Sequence, residues 1–445
     1  MRVSQYNHFQ PWDEGHYLAY NSRTGGVALM TAENFSLYQN LAKKIINGDV
    51  AGFTPEETEL LRQLEIGAFV YQGDYDELED IRLRHNMARY EKTVLGLSFA
   101  PTMACNMACS YCYEDNKKGR MSPEVIQKIV KLVESQAVSL ARLEIGWFGG
   151  EPLLAMDIIE DLTKSFFKIQ SEHKFEYVSM VITNGYLLNR ENVDRLAKMG
   201  VGTAQVTLDG PARHHNRTRP LKNGRGSFDT IIENLKYATE KMLISIRVNV
   251  DKNTTDEIIE ELLQELDRAG LRERLAINFG HIVATTPACS NIAESCLNIA
   301  EFSKAEVGYY NLLLKNGFMI GKLPMPTNIT CIAQQINSFL IDPEGRVFKC
   351  LDNIGNPAKA IGFVDNEFDF GHRNFTDLFR FDPFNNETCR ACHLLPVCLG
   401  GCPAKRINDV FTDEECCASW KHNLQPMLEL IAHSKQQQAL LPQRS

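Results

Sequence analysis

Between residues 94 and 284, short apolar or β-branched runs alternate with stretches whose apolar residues recur at helical spacing. The runs VLGLSFAP (94–101), RLEIGWFG (142–149), YVSMVITNG (177–185), VGTAQVTLDG (201–210), LISIRVNVD (243–251) and RLAINFGHI (274–282) read as strands. Amphipathic stretches starting near Ser122, Met156, Asn189, Phe228 and Thr255 separate them, and a sixth follows near Phe302. Apolar strands joined by helical crossovers predict a parallel sheet covered by helices, an α/β fold. Six such units predict a partial (β/α)6 TIM-type barrel. In barrels, chemistry sits at the C-terminal strand ends and the loops after them.

Residues 1–90 follow another pattern. HYLAY and VALMT flank NSRTGG, a hairpin signal. Ala32 to Ile46 is helical in period, and Thr54, Pro55 and Glu57 form a capping box opening a second helix. A short strand, AFVYQ, and an acidic helix from about Asp76 complete a small winged-helix-like module. From about residue 318 to 425 periodicity weakens and cysteines accumulate, which predicts a loop-rich region held by metal. The last residues, SKQQQALLPQRS, read as a frayed tail. The expected domains are therefore 1–90, 91–300 and 301–425, with a tail over 426–445.

Composition narrows the function. The chain has 445 residues, and 47 Lys+Arg against 56 Asp+Glu give a formal charge of -9, which argues against a generic nucleic-acid or anionic-membrane binder. No apolar run approaches the roughly 18 residues of a membrane span, and the N-terminus lacks a signal-peptide core. The expected location is cytoplasmic, and in that reducing compartment the 13 cysteines are better explained by metal than by disulfides.

The densest cluster is CNMACSYC, in which Cys105, Cys109 and Cys112 follow the first barrel strand directly. Thiolates suit zinc and iron-sulfur clusters alike. A structural zinc closes with a fourth protein ligand, whereas three thiolates on a four-iron cubane leave one iron for another ligand. GGEP (149–152), TNG (183–185) and LDGP (208–211) follow the second, third and fourth strands and should face the same mouth.

CNMACSYC followed by GGEP resembles the radical S-adenosylmethionine (SAM) superfamily over about residues 94–300. The resemblance implies that Cys105, Cys109 and Cys112 hold a 4Fe-4S cluster whose unique iron is chelated by SAM. One electron then cleaves SAM to methionine and a 5'-deoxyadenosyl radical, which abstracts hydrogen from an unreactive C–H bond. Tyr111 is expected against the adenine. Gly149 and Gly150 are expected to let backbone approach the ligand, and Glu151 to meet the SAM ammonium. Thr183 and Asn184 are expected at the ribose hydroxyls or the carboxylate, and Thr207 and Arg219 near the SAM carboxylate.

The C-terminal region carries Cys331, then Gly345 with Cys350 five residues on, then Cys389-x2-Cys392-x5-Cys398-x3-Cys402, and a Cys416-Cys417 pair. CRACHLLPVCLGGC alone fits a zinc knuckle, but the full order resembles the SPASM domain of radical SAM proteins, with two auxiliary 4Fe-4S clusters. By that resemblance Cys331, Cys350 and Cys402 ligate the first, with Cys289 or Cys296, or substrate, as its fourth ligand. Cys389, Cys392, Cys398 and Cys417, preferred over Cys416, ligate the second.

The whole arrangement is similar to maturases of ribosomally made peptides. It implies three 4Fe-4S clusters, SAM, a precursor peptide whose leader binds the N-terminal module, and a low-potential electron donor such as flavodoxin or ferredoxin. The product would be a carbon-carbon or thioether crosslink. Two alternatives remain: an anaerobic sulfatase-type maturase forming formylglycine, and a non-enzymatic iron-sulfur or zinc protein that binds a partner. The sulfatase maturases place Asp directly after the cysteine matching Cys350, where this chain has Leu351 and then Asp352. No catalytic base is identified; Asp352 is a candidate by proximity to Cys350.

Overall fold

The computed structural model describes the chain apart from residues 113–118, 285–291, 366–369, 409 and 441–445. It divides into two compact units: Tyr90–Gly321 with Cys331–Arg380, and Met1–Arg89 with Lys322–Thr330 and Phe381–Ser445. The stretch expected as one loop-rich domain over 301–425 is thus shared between the two. Among the described residues no helix is long and apolar enough to cross a membrane.

In the unit that contains the N-terminus, β1 (Arg2–Val3) pairs antiparallel with β5 (Val70–Tyr71), and β2 (Asn7–Asp13), β3 (His16–Asn21) and β4 (Gly26–Thr31) form a three-stranded antiparallel sheet. Strand β2 escapes the sequence pattern because it is an edge: Pro11 lacks a ladder donor, and the register shifts beside it. Helix Ala32–Ile46 is capped by Thr31, and Pro55–Ile66 by the Thr54/Glu57 capping box. Their apolar stripes meet in a core of Tyr38, Leu41, Ile45, Leu60, Leu61, Leu64 and Phe69. A second core joins Tyr6 and Ile81 to Phe384, Cys389, Leu395 and Leu399. Of the segment expected as a tail, 426–445, residues 426–440 instead continue helix Trp420–Leu440, and 441–445 lie outside the described residues. Leu424, Met427, Leu428 and Ile431 recur at helical spacing and are buried, which outweighs the glutamines after them.

The other unit is built on six parallel strands, β6 (Val94–Phe99), β7 (Arg142–Trp147), β8 (Glu176–Thr183), β9 (Val201–Thr207), β10 (Leu243–Val250) and β11 (Leu275–His281), paired in sequence order. Helices starting at Pro123, Met156, Arg190, Phe228, Asp256 and Ile299 follow them, one per strand, and a short helix, Ala212–Thr218, intervenes after β9. Burial alternates along β6, β7 and β10: Leu95, Leu97 and Phe99 are sealed while their neighbours are partly exposed. Alternation fits a partial barrel, whose one strand face is packed and whose other face lines an open interior. Three further strands extend the β6 edge: β12 (Ser338–Ile341) parallel to β6, then β13 (Arg346–Phe348) and β14 (Gly362–Phe363) antiparallel. Part of the region expected to be loops is therefore sheet, in runs too short to show a period.

Candidate active site at the barrel mouth and a four-cysteine cavity

The ends of β6 to β10 supply the mouth. The cysteine loop leaves β6 through Pro101, and its start is held against the turn after β7. A Cβ on Gly150 would lie 2.4 Å from the Ala104 carbonyl oxygen and 2.5 Å from that of Met103, and one on Gly149 (φ +110°) 2.7 Å from that of Thr102. The space left by these two glycines is thus taken by the chain's own loop. The Gly150 and Glu151 N–H groups donate to the Thr102 and Ala104 carbonyls at 3.2 and 2.9 Å.

Glu151 is fully buried and ties three elements together. Its carboxylate accepts from the Thr183 hydroxyl at 2.7 Å, the Asn184 N–H at 2.8 Å and the Leu153 N–H at 3.1 Å. Burial raises its pKa, and these donors work against that shift. Asn184 donates at 2.7 Å to Asn106, inside the cysteine loop, with its Nδ2 3.8 Å from the Cys105 sulfur; the Met107 N–H points at the same sulfur at 3.4 Å. Burial pushes the Cys105 thiol up, with Glu151 and Cys109 adding to it and Arg219 opposing.

On the far side of the mouth Tyr111 donates to Asp209 and accepts from Arg219 Nη1 at 2.7 Å and Asn249 Nδ2 at 3.0 Å. The Asn249 N–H donates to the other Asp209 oxygen at 3.2 Å. Burial, against the Arg219 charge, holds the Tyr111 phenol far above its ordinary value, so it stays a donor. Arg219 is itself buried. Burial alone would lower its pKa, but Tyr111, Cys109 and Asp209 more than offset that and keep it charged. Tyr111 is thus held through its hydroxyl. Thr207, at the end of β9, is buried.

The structure brings Cys105, Cys109, Tyr111, Glu151, Thr183, Asn184 and Arg219 into one neighbourhood. Asn106, Asp209 and Asn249 join it without having been singled out as contacts. Asp209 lies in LDGP and Asn106 in CNMACSYC, whereas Asn249 carried no signal. Two buried donors here lack a hydrogen-bond partner, Asn106 Nδ2 and Arg219 Nε. They suit an acceptor-rich ligand beside the thiols, and a group carrying a carboxylate meets that requirement. Among the described residues no group of three His, Cys, Asp or Glu side chains is gathered closely enough to hold a single metal ion.

In the unit containing the N-terminus, Cys389, Cys392, Cys398 and Cys417 line one cavity of about 380 Å3, together with Arg406 and Lys421. Four thiols lining one cavity match the four-cysteine ligation of a cubane cluster. Burial pushes Cys389 up to about 11, with Arg406 opposing, and raises Cys398 as well. Thiolates here need a cationic partner. Cys417, not Cys416, lines the cavity. Cys416 is buried beside Cys402, whose N–H donates to the Cys416 carbonyl at 3.3 Å. A Cβ on Gly401 (φ +82°) would lie 1.8 Å from that carbonyl, so only glycine fits.

Cys331 and Cys350 belong to the barrel unit and Cys402 to the other. Between Cys331 and Cys350, Lys349 is buried and donates to the Gln335 and Ser338 carbonyls at 2.5 Å, with the faces of Phe339, Phe375 and Phe379 4.9, 5.2 and 5.8 Å away. Asp352 is exposed. The Cys296 thiol faces the Ile292 carbonyl at 3.4 Å, and Cys289 lies outside the described residues.

Residues 99–266 match the profile of the Radical SAM superfamily. A probable GTP 3',8-cyclase of Methanopyrus kandleri is 32% identical over 200 residues, 44% of this chain and 61% of that protein, so the chain spans under two thirds of that relative. A serine-type anaerobic sulfatase-maturating enzyme of Bacteroides thetaiotaomicron is 29% identical over 68% of this chain and 81% of its own. The mycofactocin maturase MftC of Mycolicibacterium smegmatis is 24% identical over 73% and 83%. In fold, the chain is similar to native anSMEcpe with bound AdoMet and Cp18Cys peptide (TM-score 0.59, 19% identity, 77% of this chain and 99% of that one). It is also similar to Streptococcus suis SuiB bound to precursor peptide SuiA (TM-score 0.54, 15% identity, 93% and 99%). Residues 99–266 therefore form a radical SAM domain, carried on a partial (β/α)6 barrel.

Proposed function

We propose that the chain is a cytoplasmic radical SAM enzyme that crosslinks a ribosomally made precursor peptide through a carbon-carbon or thioether bond. The observation that carries the reading is the gathering of Cys105 and Cys109 with Glu151, Thr183, Asn184, Tyr111 and Arg219 at the strand ends.

Cys105, Cys109 and Cys112 would hold the SAM-binding 4Fe-4S cluster, which when loaded supplies the electron that cleaves SAM to a 5'-deoxyadenosyl radical. The protein's own part is orientation. Arg219, fixed by Tyr111, presents a buried guanidinium with an unused N–H for a carboxylate. Glu151 fixes the Thr183–Asn184 turn, which in turn braces Asn106 in the cysteine loop. Cys389, Cys392, Cys398 and Cys417 would hold an auxiliary cluster, an acceptor for one electron. Cys331, Cys350 and Cys402 are assigned to a further one, and a flavodoxin or ferredoxin is the proposed electron source.

The N-terminal module, residues 1–90, is assigned to the leader. Strand β4 is an edge of its sheet, with Leu29 exposed, and an extended peptide can add to such an edge by main-chain hydrogen bonds. The fold shared with SuiB, solved with its precursor peptide, and the MftC relative support this reading. The sulfatase-type relative keeps formylglycine formation as the second reading.

The test is anaerobic incubation of the reconstituted protein with SAM, a reductant and the peptide encoded beside its gene. A crosslink removes two hydrogens from the peptide. Formylglycine formation from cysteine also replaces sulfur by oxygen, so mass spectrometry separates the two. Release of 5'-deoxyadenosine with an unchanged peptide would count against this substrate class. A bound cluster without SAM cleavage would favour a non-enzymatic iron-sulfur protein.

A further inference from the structure

The four-cysteine cavity has two cations aimed at its sulfurs. Arg406 is anchored three ways: Nε donates to the Gly400 carbonyl at 2.8 Å, Nη1 pairs with Asp413, and the guanidinium lies 5.1 Å from the Phe381 ring centre. Its side chain is only 5% exposed. The remaining nitrogen, Nη2, points at the Cys417 sulfur at 3.9 Å. Lys421, which lines the same cavity, has its Nζ 4.0 Å from the Cys392 sulfur, open to water. Asp413, the partner that would cancel the Arg406 charge, is 75% exposed, so solvent screens it while the guanidinium faces the buried side.

We propose that Arg406, and to a smaller degree Lys421, set the reduction potential of the cluster held by Cys389, Cys392, Cys398 and Cys417. The inference rests on the assignment of a cluster to this cavity. Accepting one electron makes such a site more negative by one charge, and a fixed cation beside a ligating sulfur stabilises the reduced form more than the oxidised one. Hydrogen bonds to ligating sulfurs, net charge and burial are the levers by which proteins place these potentials. Arg406 supplies all three at Cys417. Lys421 is exposed, and its share falls as salt screens it. The higher potential suits a site that takes the one electron released when the peptide radical left by hydrogen abstraction is oxidised, rather than one that delivers an electron to SAM.

The experiment is a dithionite titration of the reconstituted full-length protein, followed by electron paramagnetic resonance, with iron counted per chain. The component lost in Cys417→Ala identifies the cluster. Arg406→Gln should keep the iron and disfavour reduction of that component about tenfold, a shift of about 59 mV for one electron. Arg406→Lys should recover much of the shift. Lys421→Met should give a smaller downward shift that shrinks in high salt. Unchanged potential in Arg406→Gln at full iron content overturns the inference and leaves the cluster assignment standing. If Arg406→Gln loses iron, Lys421→Met decides, and an unchanged potential there overturns it. Iron content and signals unaltered by Cys417→Ala overturn the assignment itself.

Discussion

Tyr111→Phe removes one oxygen and nothing else from the barrel mouth, and that oxygen meets three partners. It donates to Asp209 and accepts from Arg219 Nη1 at 2.7 Å and from Asn249 Nδ2 at 3.0 Å. Two of these bonds involve a charged group, worth about 1.5–3 kcal/mol each, and the third is neutral, worth about 0.5–1.5. The sum, about 3.5–7.5 kcal/mol, is an upper bound, because Asp209 keeps the Asn249 N–H at 3.2 Å and the Thr218 hydroxyl at 3.4 Å. Closure of Arg219 toward Asp209 recovers part of the rest, so a loss of about 3 kcal/mol is expected from urea unfolding, with an unchanged denaturant slope. The closure also turns Arg219 away from the mouth. Anaerobic equilibrium binding should therefore show SAM affinity reduced at least tenfold, about 1.4 kcal/mol, with iron content intact. Lost stability at unchanged SAM affinity would refute the orienting role of Tyr111, and a stability loss below about 1 kcal/mol would refute the whole network.

Four further outcomes follow from the same geometry. Gly150→Ala places a methyl within 2.5 Å of two backbone oxygens that cannot yield, so the cysteine loop must shift; iron at the SAM-binding site should fall, and full occupancy would contradict the contact. Cys417→Ser should remove one cluster's worth of iron and Cys416→Ser should not, because only Cys417 lines the cavity. His215 is fully buried against the Asp209 N–H (3.3 Å) and the Ser227 hydroxyl (3.1 Å), and burial, with Arg219 and His214, holds it well below its ordinary 6.5. A depressed folded value means the unfolded chain takes up the proton first, so this stability is present above pH 6.5 and is lost as the pH falls below it; His215→Asn should flatten the acid side of the stability profile, and an unchanged slope would exclude the assignment. Leu41→Ala empties the core of the N-terminal module at a cost of about 2–5 kcal/mol. Precursor binding should weaken while peptide-independent SAM cleavage persists; the reverse would misplace the leader site.

Periodicity made the six barrel strands and their helices legible because each is long enough to repeat and buries one face throughout. Elements without that length were not. Strands β12 and β13, four and three residues, carry no period, and β2 carries Pro11 at a sheet edge. Helix Trp420–Leu440 hid behind a glutamine-rich end although Leu424, Met427, Leu428 and Ile431 sit on one stripe. The division into units was equally silent in the sequence, since it depends on Phe384, Cys389, Leu395 and Leu399 packing with Tyr6 and Ile81 from the other end of the chain.

The candidate site was legible to the extent that its chemistry is carried by residue types with few other uses. Three cysteines in eight positions announce themselves; an asparagine inside a strand does not. Asn249 reads as one more strand residue in LISIRVNVD, yet its side chain and N–H bind both members of the Tyr111–Asp209 pair. Arg406 is similar. In sequence it is one of many basic residues, and its meaning comes from a backbone that returns Cys417 to its Nη2. Cysteine spacing therefore states which atoms can hold a cluster, while the polar groups proposed to orient SAM and to tune an electron acceptor are brought into place only by the fold. Substitutions at Tyr111, Asn249 and Arg406 should accordingly alter affinity and potential at constant iron content, whereas substitutions at the cavity cysteines should alter iron content first.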